Sequence, residues 1–323
     1  MNFEPITRFA CLAWAALAPL AAQAFDLQGH RGARGLAPEN TLPSFELAIQ
    51  HGATTLELDA AVTRDGVIVI HHDRALNPNF ARDASGRWLE RASRPIHHMT
   101  LAEVQAHDIG RIKPGTPYAK DFPDQVPMDG TRVPRLSDLF GMVQRKGYGH
   151  IRFAIETKLS PLAPGDTPAP EPFAAALVAQ VGQAGMQHRV QIMSFDWRTL
   201  QVVQRIAPEI PTVYLSAQQP WIDNIAADKA QDSPWVAGFQ HRTYGSVPKM
   251  IKAAGGQYWS VFHGDVDAAK IKEAKALGLK VLVWTVNDAP TMRRVIDIGA
   301  DGLITDRPDL AKAVLVERGI VPR

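Results

Sequence analysis

Four short stretches of this 323-residue chain carry side chains that could do chemistry together. Gly29-His30-Arg31-Gly32 follows an apolar run, and Glu57-Leu58-Asp59 lies within another. His72-Asp73 closes a third, and Glu156-Thr157-Lys158 a fourth. On a strand, i, i+2 spacing turns Glu57 and Asp59 to one side, and likewise Glu156 and Lys158. Three carboxylates converging with two histidines are costly unless a cation neutralises the acids. Hard divalent cations prefer oxygen donors, so Glu57, Asp59 and Glu156 suit calcium or magnesium better than zinc. His30 and His72 are then free for proton transfer, with an ordinary pKa of about 6.5. Arg31 and Lys158 bring positive charge to the same place. The set describes a pocket for an anion with several oxygens, such as a phosphodiester.

Each stretch has a plainer reading when taken alone. His30-Arg31 fits a surface turn, Glu57 and Asp59 a solvated strand face, and Glu156-Thr157-Lys158 a charged strand end. The combination favours a site because all four map to the C-terminal ends of strands. His71 alternates with His72 and faces the other way, towards packing. His97-His98 reads as surface. Phe195, Trp259 and Trp284 at strand ends either wall a pocket or pack in the core.

The elements that must position these residues alternate. Strand patterns occur at 25–30, 54–59, 151–158, 190–195, 212–216, 257–262, 280–286 and 301–305. Helix patterns lie at 41–50, 172–183, 197–206, 266–277 and 289–298. Gly52, Gly185, Gly278 and Gly299 follow helical faces, where a left-handed cap favours glycine. Such alternation predicts parallel strands with crossover helices. Eight strands in this length fit a closed (β/α)8 TIM barrel, with an open doubly wound sheet as the alternative.

One strand breaks the rhythm. VIVIHHD (67–73) follows the 54–59 strand too closely for a helix, and Asp65-Gly66 is a hairpin signal. A two-residue turn there sets His72 opposite Glu57 or Asp59, about 5 Å away across the pair. From 74 to 134 the alternation lapses, apart from a short helix pattern at 100–105. This stretch reads as an insertion over the barrel mouth, where loops carry function. A proline-rich loop, 161–172, follows the third barrel strand.

The composition places this architecture among ordinary globular enzymes. Apolar residues make up 46% and charged residues 21%, which argues against disorder. The 35 basic and 33 acidic residues leave a net charge of +2, too balanced for a nucleic-acid protein relying on a large basic face. The run FACLAWAALAPLAA (9–22) follows Arg8 and ends at Ala22-Gln23-Ala24, the pattern of a cleaved secretory signal. It is shorter than the roughly 20 residues needed to span a bilayer. The expected organisation is a signal over 1–24 and one barrel domain over 25–323, exported to the periplasm or secreted. Cleavage removes Cys11, the one cysteine, and leaves no stably membrane-inserted segment.

At this point the motifs resemble a known family. HRGARGLAPENTLPSFELAIQHGATTLELDAAVTRDGVIVIHHD (30–73) is similar to the N-terminal signature of glycerophosphodiester phosphodiesterases. Glu156-Thr157-Lys158, Ser194-Phe195, Trp284-Thr285-Val286-Asn287 and Asp301 to Asp306 with Pro308 resemble the later blocks. The resemblance implies a distorted TIM barrel with a divalent metal at its mouth, held by Glu57, Asp59 and Glu156. It makes His30 and His72 the general acid/base pair and sets Arg31 and Lys158 against phosphate. Glu39 matches the acid of the PENT block, and Phe195 and Trp284 fall where pocket-lining side chains are expected. The implied reaction cleaves a small glycerophosphodiester to glycerol 3-phosphate and an alcohol, through a cyclic phosphate. Calcium is favoured over magnesium because free calcium is more available outside the cytoplasm. Alternatives are phospholipase D-like or lyase action on intact lipid, and a non-catalytic exported phosphodiester binder. Ala60, Ala61 and the 74–134 segment depart from the family pattern.

Overall fold

The computed structural model describes residues 25–322; the expected signal segment, 1–24, lies outside the described residues. Eleven strands form in chain order: β1 (Asp26–Gly29), β2 (Thr55–Val62), β3 (Ile68–Ile70), β4 (Arg152–Thr157), β5 (Val190–Ser194), β6 (Thr212–Ser216), β7 (Gln218–Gln219), β8 (Ile222–Asp223), β9 (Tyr258–Phe262), β10 (Lys280–Trp284) and β11 (Gly302–Thr305). Eight of them, β1, β2, β4, β5, β6, β9, β10 and β11, pair in parallel in that order. The pairing of β1 with both β2 and β11 closes the ring. The closed barrel is as expected, and the open sheet is excluded.

Period-two alternation explains the two packing layers. Leu27, Leu56, Leu58, Phe153, Ile155 and Val283 point outward and bury against the surrounding helices. Ala154, Met193, Val213, Leu215, Leu282 and Ile304 form a separate apolar plug within the ring. The helices begin on side-chain caps: Thr41, Asp267 and Asp288 each accept a hydrogen bond from a first-turn main-chain N–H.

Five α-helices among the described residues were not anticipated, the short Pro117–Asp121 and His241–Tyr244 and three longer ones. Leu136–Arg145, Val247–Ala253 and Pro308–Glu317 supply the crossovers before β4 and β9 and the helix after β11. Leu136, Leu139, Phe140 and Val143 carry the apolar periodicity of the first, but it emerges straight from the irregular stretch. The two-residue ladder of β7 and β8 was also not anticipated.

The hairpin register differs from expectation. Ala60 pairs with Ile70 and Val62 with Ile68, so the connection holds three residues beyond Thr63, Arg64 to Gly66. Gly66 at φ 79° provides the left-handed position such a loop needs. His72 is therefore opposite neither Glu57 nor Asp59. The ladder ends at Ile70, and the departing chain carries His72 to the site.

The 74–134 stretch builds a small core of its own on the outer side of this hairpin. Ala61 and Val69 pack there with Leu76, Phe80, Ile96 and Val104. The expected 100–105 helix forms at Leu101–Gln105, with a Thr100/Glu103 capping box.

Candidate active site

The acids owe their direction to strand periodicity. Since Leu56 and Leu58 face the helices, Glu57 and Asp59 face inward. In β4 the outward pair is Phe153 and Ile155, which leaves Ala154 and Glu156 inside. Asp59 is registered against Glu156 across the β2–β4 pair, and Glu57 against the small Ala154. One oxygen from each of Glu57, Asp59 and Glu156 lies within 4.8 Å of the others, and all three residues are buried. Lys158 Nζ sits 2.7 Å from Glu156 Oε1 and 3.6 Å from Asp59 Oδ1.

The loop after β1 brings His30 and Arg31 against these acids. Arg31 takes φ 51°, and its main-chain N–H donates to Glu57 Oε2 at 2.9 Å. Gly32 follows at φ 86°, where a Cβ would come within 2.5 Å of Ser44 Oγ, so no other residue fits. The Arg31 guanidinium donates to Glu39 Oε1 at 2.8 Å and lies 3.3 Å from Asp59 Oδ2. Glu39 also accepts from the Tyr118 hydroxyl. It stands behind Arg31 and does not line the cavity.

Each histidine leans on a carboxylate. His30 Nδ1 is 2.7 Å from Asp306 Oδ1, and its Nε2 is 3.9 Å from Glu57 Oε2. Burial disfavours an ionised Asp306, but Arg34 and His30 outweigh it and hold the carboxyl well below the usual range. As Asp306 is an acceptor, the proton resides on His30 Nδ1, and Nε2 presents its lone pair. Burial lowers the His30 pKa to about 4; Asp306 opposes this and the Arg34 and Arg31 charges assist it. His72 Nδ1 lies 2.8 Å from Asp73 Oδ1, which sets the same tautomer. His71 turns away, as expected: its Nδ1 meets the Asp73 carbonyl and its ring packs on Phe80.

A cavity of about 1590 Å³ opens over the barrel, lined by His30, Arg31, Glu57, His72, Glu156 and Lys158. Phe195 and Trp284 line it too, their rings 5.4 Å apart and nearly perpendicular. Trp259 packs instead, with its indole N–H donating to Ser216 Oγ. His97 and His98 do not reach the cavity.

The profile of the glycerophosphoryl diester phosphodiesterase family matches residues 30–310. The chain belongs to that family. A glycerophosphodiester phosphodiesterase from Caldanaerobacter subterraneus subsp. tengcongensis is 26% identical, covering 87% of this chain and 93% of the relative. One from Bacillus subtilis is 27% identical, covering 87% and 83%. A crystal structure from Silicibacter pomeroyi DSS-3, provisionally named a glycerophosphoryl diester phosphodiesterase, is similar at TM-score 0.82 and 36% identity, over 92% and 95% of the two chains. An Oleispira antarctica phosphodiesterase solved with its product sn-glycerol-3-phosphate shares the fold at TM-score 0.65 and 22% identity, over 90% and 96%.

Membership makes the chain a glycerophosphodiester phosphodiesterase, and the family depends on a divalent metal. The residues of this phosphodiesterase fit such an ion. Asp59 Oδ1 is buried without a hydrogen-bond partner among the described residues. Burial raises the Glu57 pKa well above the usual range, and the Asp59 and Glu156 charges raise it further. Burial raises Glu156 as well, against the pull of Lys158. A buried all-oxygen donor set with an unsatisfied acceptor matches a hard cation.

Sequence reasoning gave no role to three phosphodiesterase residues that the structure places at the site. Asp306 holds His30; Arg34 donates to both Asp306 oxygens, at 2.8 and 2.9 Å. Asn40, at φ 56°, donates from Nδ2 to Asp59 Oδ2 at 2.8 Å. The signal for Asp306 was present: it follows the inward Ile304 by two positions, at a strand's C-terminal end.

Proposed function

We propose that this enzyme hydrolyses glycerophosphodiesters with Glu57, Asp59 and Glu156 holding one divalent cation and with His30 and His72 moving protons. The observation that carries this reading is the geometry: three buried carboxylates converge beside two imidazoles, each fixed through Nδ1 by its own aspartate. A bound divalent cation supplies Lewis acidity to a phosphate oxygen and to a neighbouring hydroxyl.

The chain's own groups do the rest. One histidine Nε2 accepts the proton of the glycerol 2-hydroxyl as that oxygen attacks phosphorus. The headgroup oxygen leaves and takes a proton from the other histidine. The phosphodiester's negative charge opposes the burial and the neighbouring basic charges that lower the histidine pKa values. Water then opens the cyclic glycerol phosphate with the two roles reversed, releasing glycerol 3-phosphate. Intramolecular attack benefits from the high effective molarity of a hydroxyl on the same molecule. Lys158 and Arg31 supply positive charge for the equatorial oxygens.

Export and a preference for calcium belong to the same proposal. The apolar run at 9–22 supports export. The test is a panel of glycerophosphodiesters assayed after chelation, with each metal added back and products read by phosphorus NMR. Glycerol 3-phosphate plus free alcohol supports the reading. A cyclic phosphate as end product from intact lipid makes the enzyme a lyase, and retention of ligand without turnover makes the protein a binder.

A further inference from the structure

The charged groups of the site lie at one part of a cavity of about 1590 Å³, larger than the roughly 300–1,000 Å³ of ordinary small-molecule pockets. The remaining space faces an aromatic wall that the hydrolysis itself does not use. Trp221 is its outermost member and is 61% exposed. It sits at the turn between β7 and β8, which is firmly tied down. Asp265 accepts from the Gln218 main chain at 2.8 Å and from the Gln219 amide at 2.6 Å. Asp223 Oδ1 accepts from the main-chain N–H groups of Ile225 and Ala226. A built turn therefore presents an exposed indole to the cavity.

The rings of this wall meet at near-right angles. Trp221 is 6.1 Å from Trp284 at 77°, and Phe195 meets Trp284 at 86°; Phe262, which does not line the cavity, packs 5.4 Å from Trp221 at 81°. A flat sugar stacks on a single ring face. A right-angled corner offers faces on two sides and suits a compact, rounded group. The charges of this segment favour a cation: Asp223, two residues from Trp221, and Asp228 line the cavity with the single base Lys229, while Arg74 is paired with Asp166. Aromatic faces attract quaternary ammonium groups through the ring quadrupole.

Resting on the hydrolase reading above and deepening it, we propose that Trp221, with Trp284, forms a subsite for a cationic headgroup of the trimethylammonium class. Trp221 is then a specificity-determining residue that takes no part in the bond-breaking steps.

The experiment compares glycerophosphocholine with its uncharged carbon isostere, glycerophospho-3,3-dimethylbutanol, on the metal-loaded full chain and on Trp221→Leu and Trp221→Phe. Leucine keeps apolar bulk without a ring; phenylalanine keeps a ring. The wild type should show a KM for the choline substrate about tenfold below that for the isostere, with similar kcat. Trp221→Leu should erase most of that preference, and Trp221→Phe should keep part of it. A wild type that does not distinguish the two substrates overturns the proposal, as does a Trp221→Leu variant with the preference intact. Absence of turnover on every glycerophosphodiester, glycerophosphoglycerol included, overturns the hydrolase reading itself. The two failures are thus distinct.

Discussion

Asp306 and Asp73 do the same work for two different imidazoles: each accepts from Nδ1 and leaves Nε2 bare. His30→Ala and His72→Ala should each lower kcat by at least about 100-fold, the low end for general acid–base catalysis, with the circular dichroism of the fold unchanged. Near-wild-type rates in both variants would remove the histidines from the mechanism. Asp306→Asn tests the support rather than the base. It should lower kcat by about 100-fold or more, because an amide can stabilise the wrong tautomer. It should also change the acid limb of stability. The folded Asp306 carboxyl titrates far below the roughly 3.9 of an unfolded aspartate, so the unfolded chain takes up that proton first as pH falls. The stability Asp306 confers is full well above that value and is lost as pH drops through and below it. Urea midpoints at pH 6 and pH 3 should therefore differ less in Asp306→Asn than in the wild type. The acids of β2 and β4 were legible because i, i+2 pairs of charge on apolar strands are unusual. Asp306 carries no such paired charge: its spacing from Ile304 points it inward, but its pairing with His30 depends on β11 lying beside β1.

The turn between β2 and β3 shows where an element defeats pattern reading. Asp65-Gly66 is a hairpin signal, but two- and three-residue loops share that dipeptide, and one residue of length shifts the whole register. The short helix Pro117–Asp121 was illegible for another reason: its worth lies in distant contacts. Tyr118 donates to Glu39, which holds Arg31, and Phe122 lies 4.6 Å beneath the Arg34 guanidinium. One helical turn of the insertion thus braces both arginines. Tyr118→Phe should lower stability by about 1.5–3 kcal/mol, the value of a hydrogen bond to a charged group, as read by denaturant titration. A variant as stable as the wild type would show the contact to be idle. Two glycines separate sterics from backbone preference. Gly32→Ala drives a Cβ into Ser44 and should prevent folding or destabilise severely. Gly66→Ala meets open space and should cost only about 1 kcal/mol for its positive φ. Comparison of their melting temperatures checks both.

The closed ring of eight strands was legible because the alternation of strand and helix patterns persisted for most of the chain. Barrel closure itself is a long-range fact: β1 and β11 lie at opposite ends of the described residues. The cation acts on the molecule as a whole. Ions that bind the folded chain alone raise its melting temperature by mass action, so calcium or magnesium restored after chelation should shift Tm upward. The shift should disappear in Glu57→Gln, and an unchanged Tm with either ion would count against a site built from Glu57, Asp59 and Glu156. The hairpin has a broader bearing. Its inner side delivers His72, while Ala61 and Val69 on its outer side nucleate a separate apolar cluster with Leu76, Phe80 and Ile96. Anyone exchanging this excursion for that of a relative must transplant 61 to 135 as one cassette. A graft cut at 74 would strand the outer side of the hairpin against foreign side chains and unseat a histidine on which turnover depends.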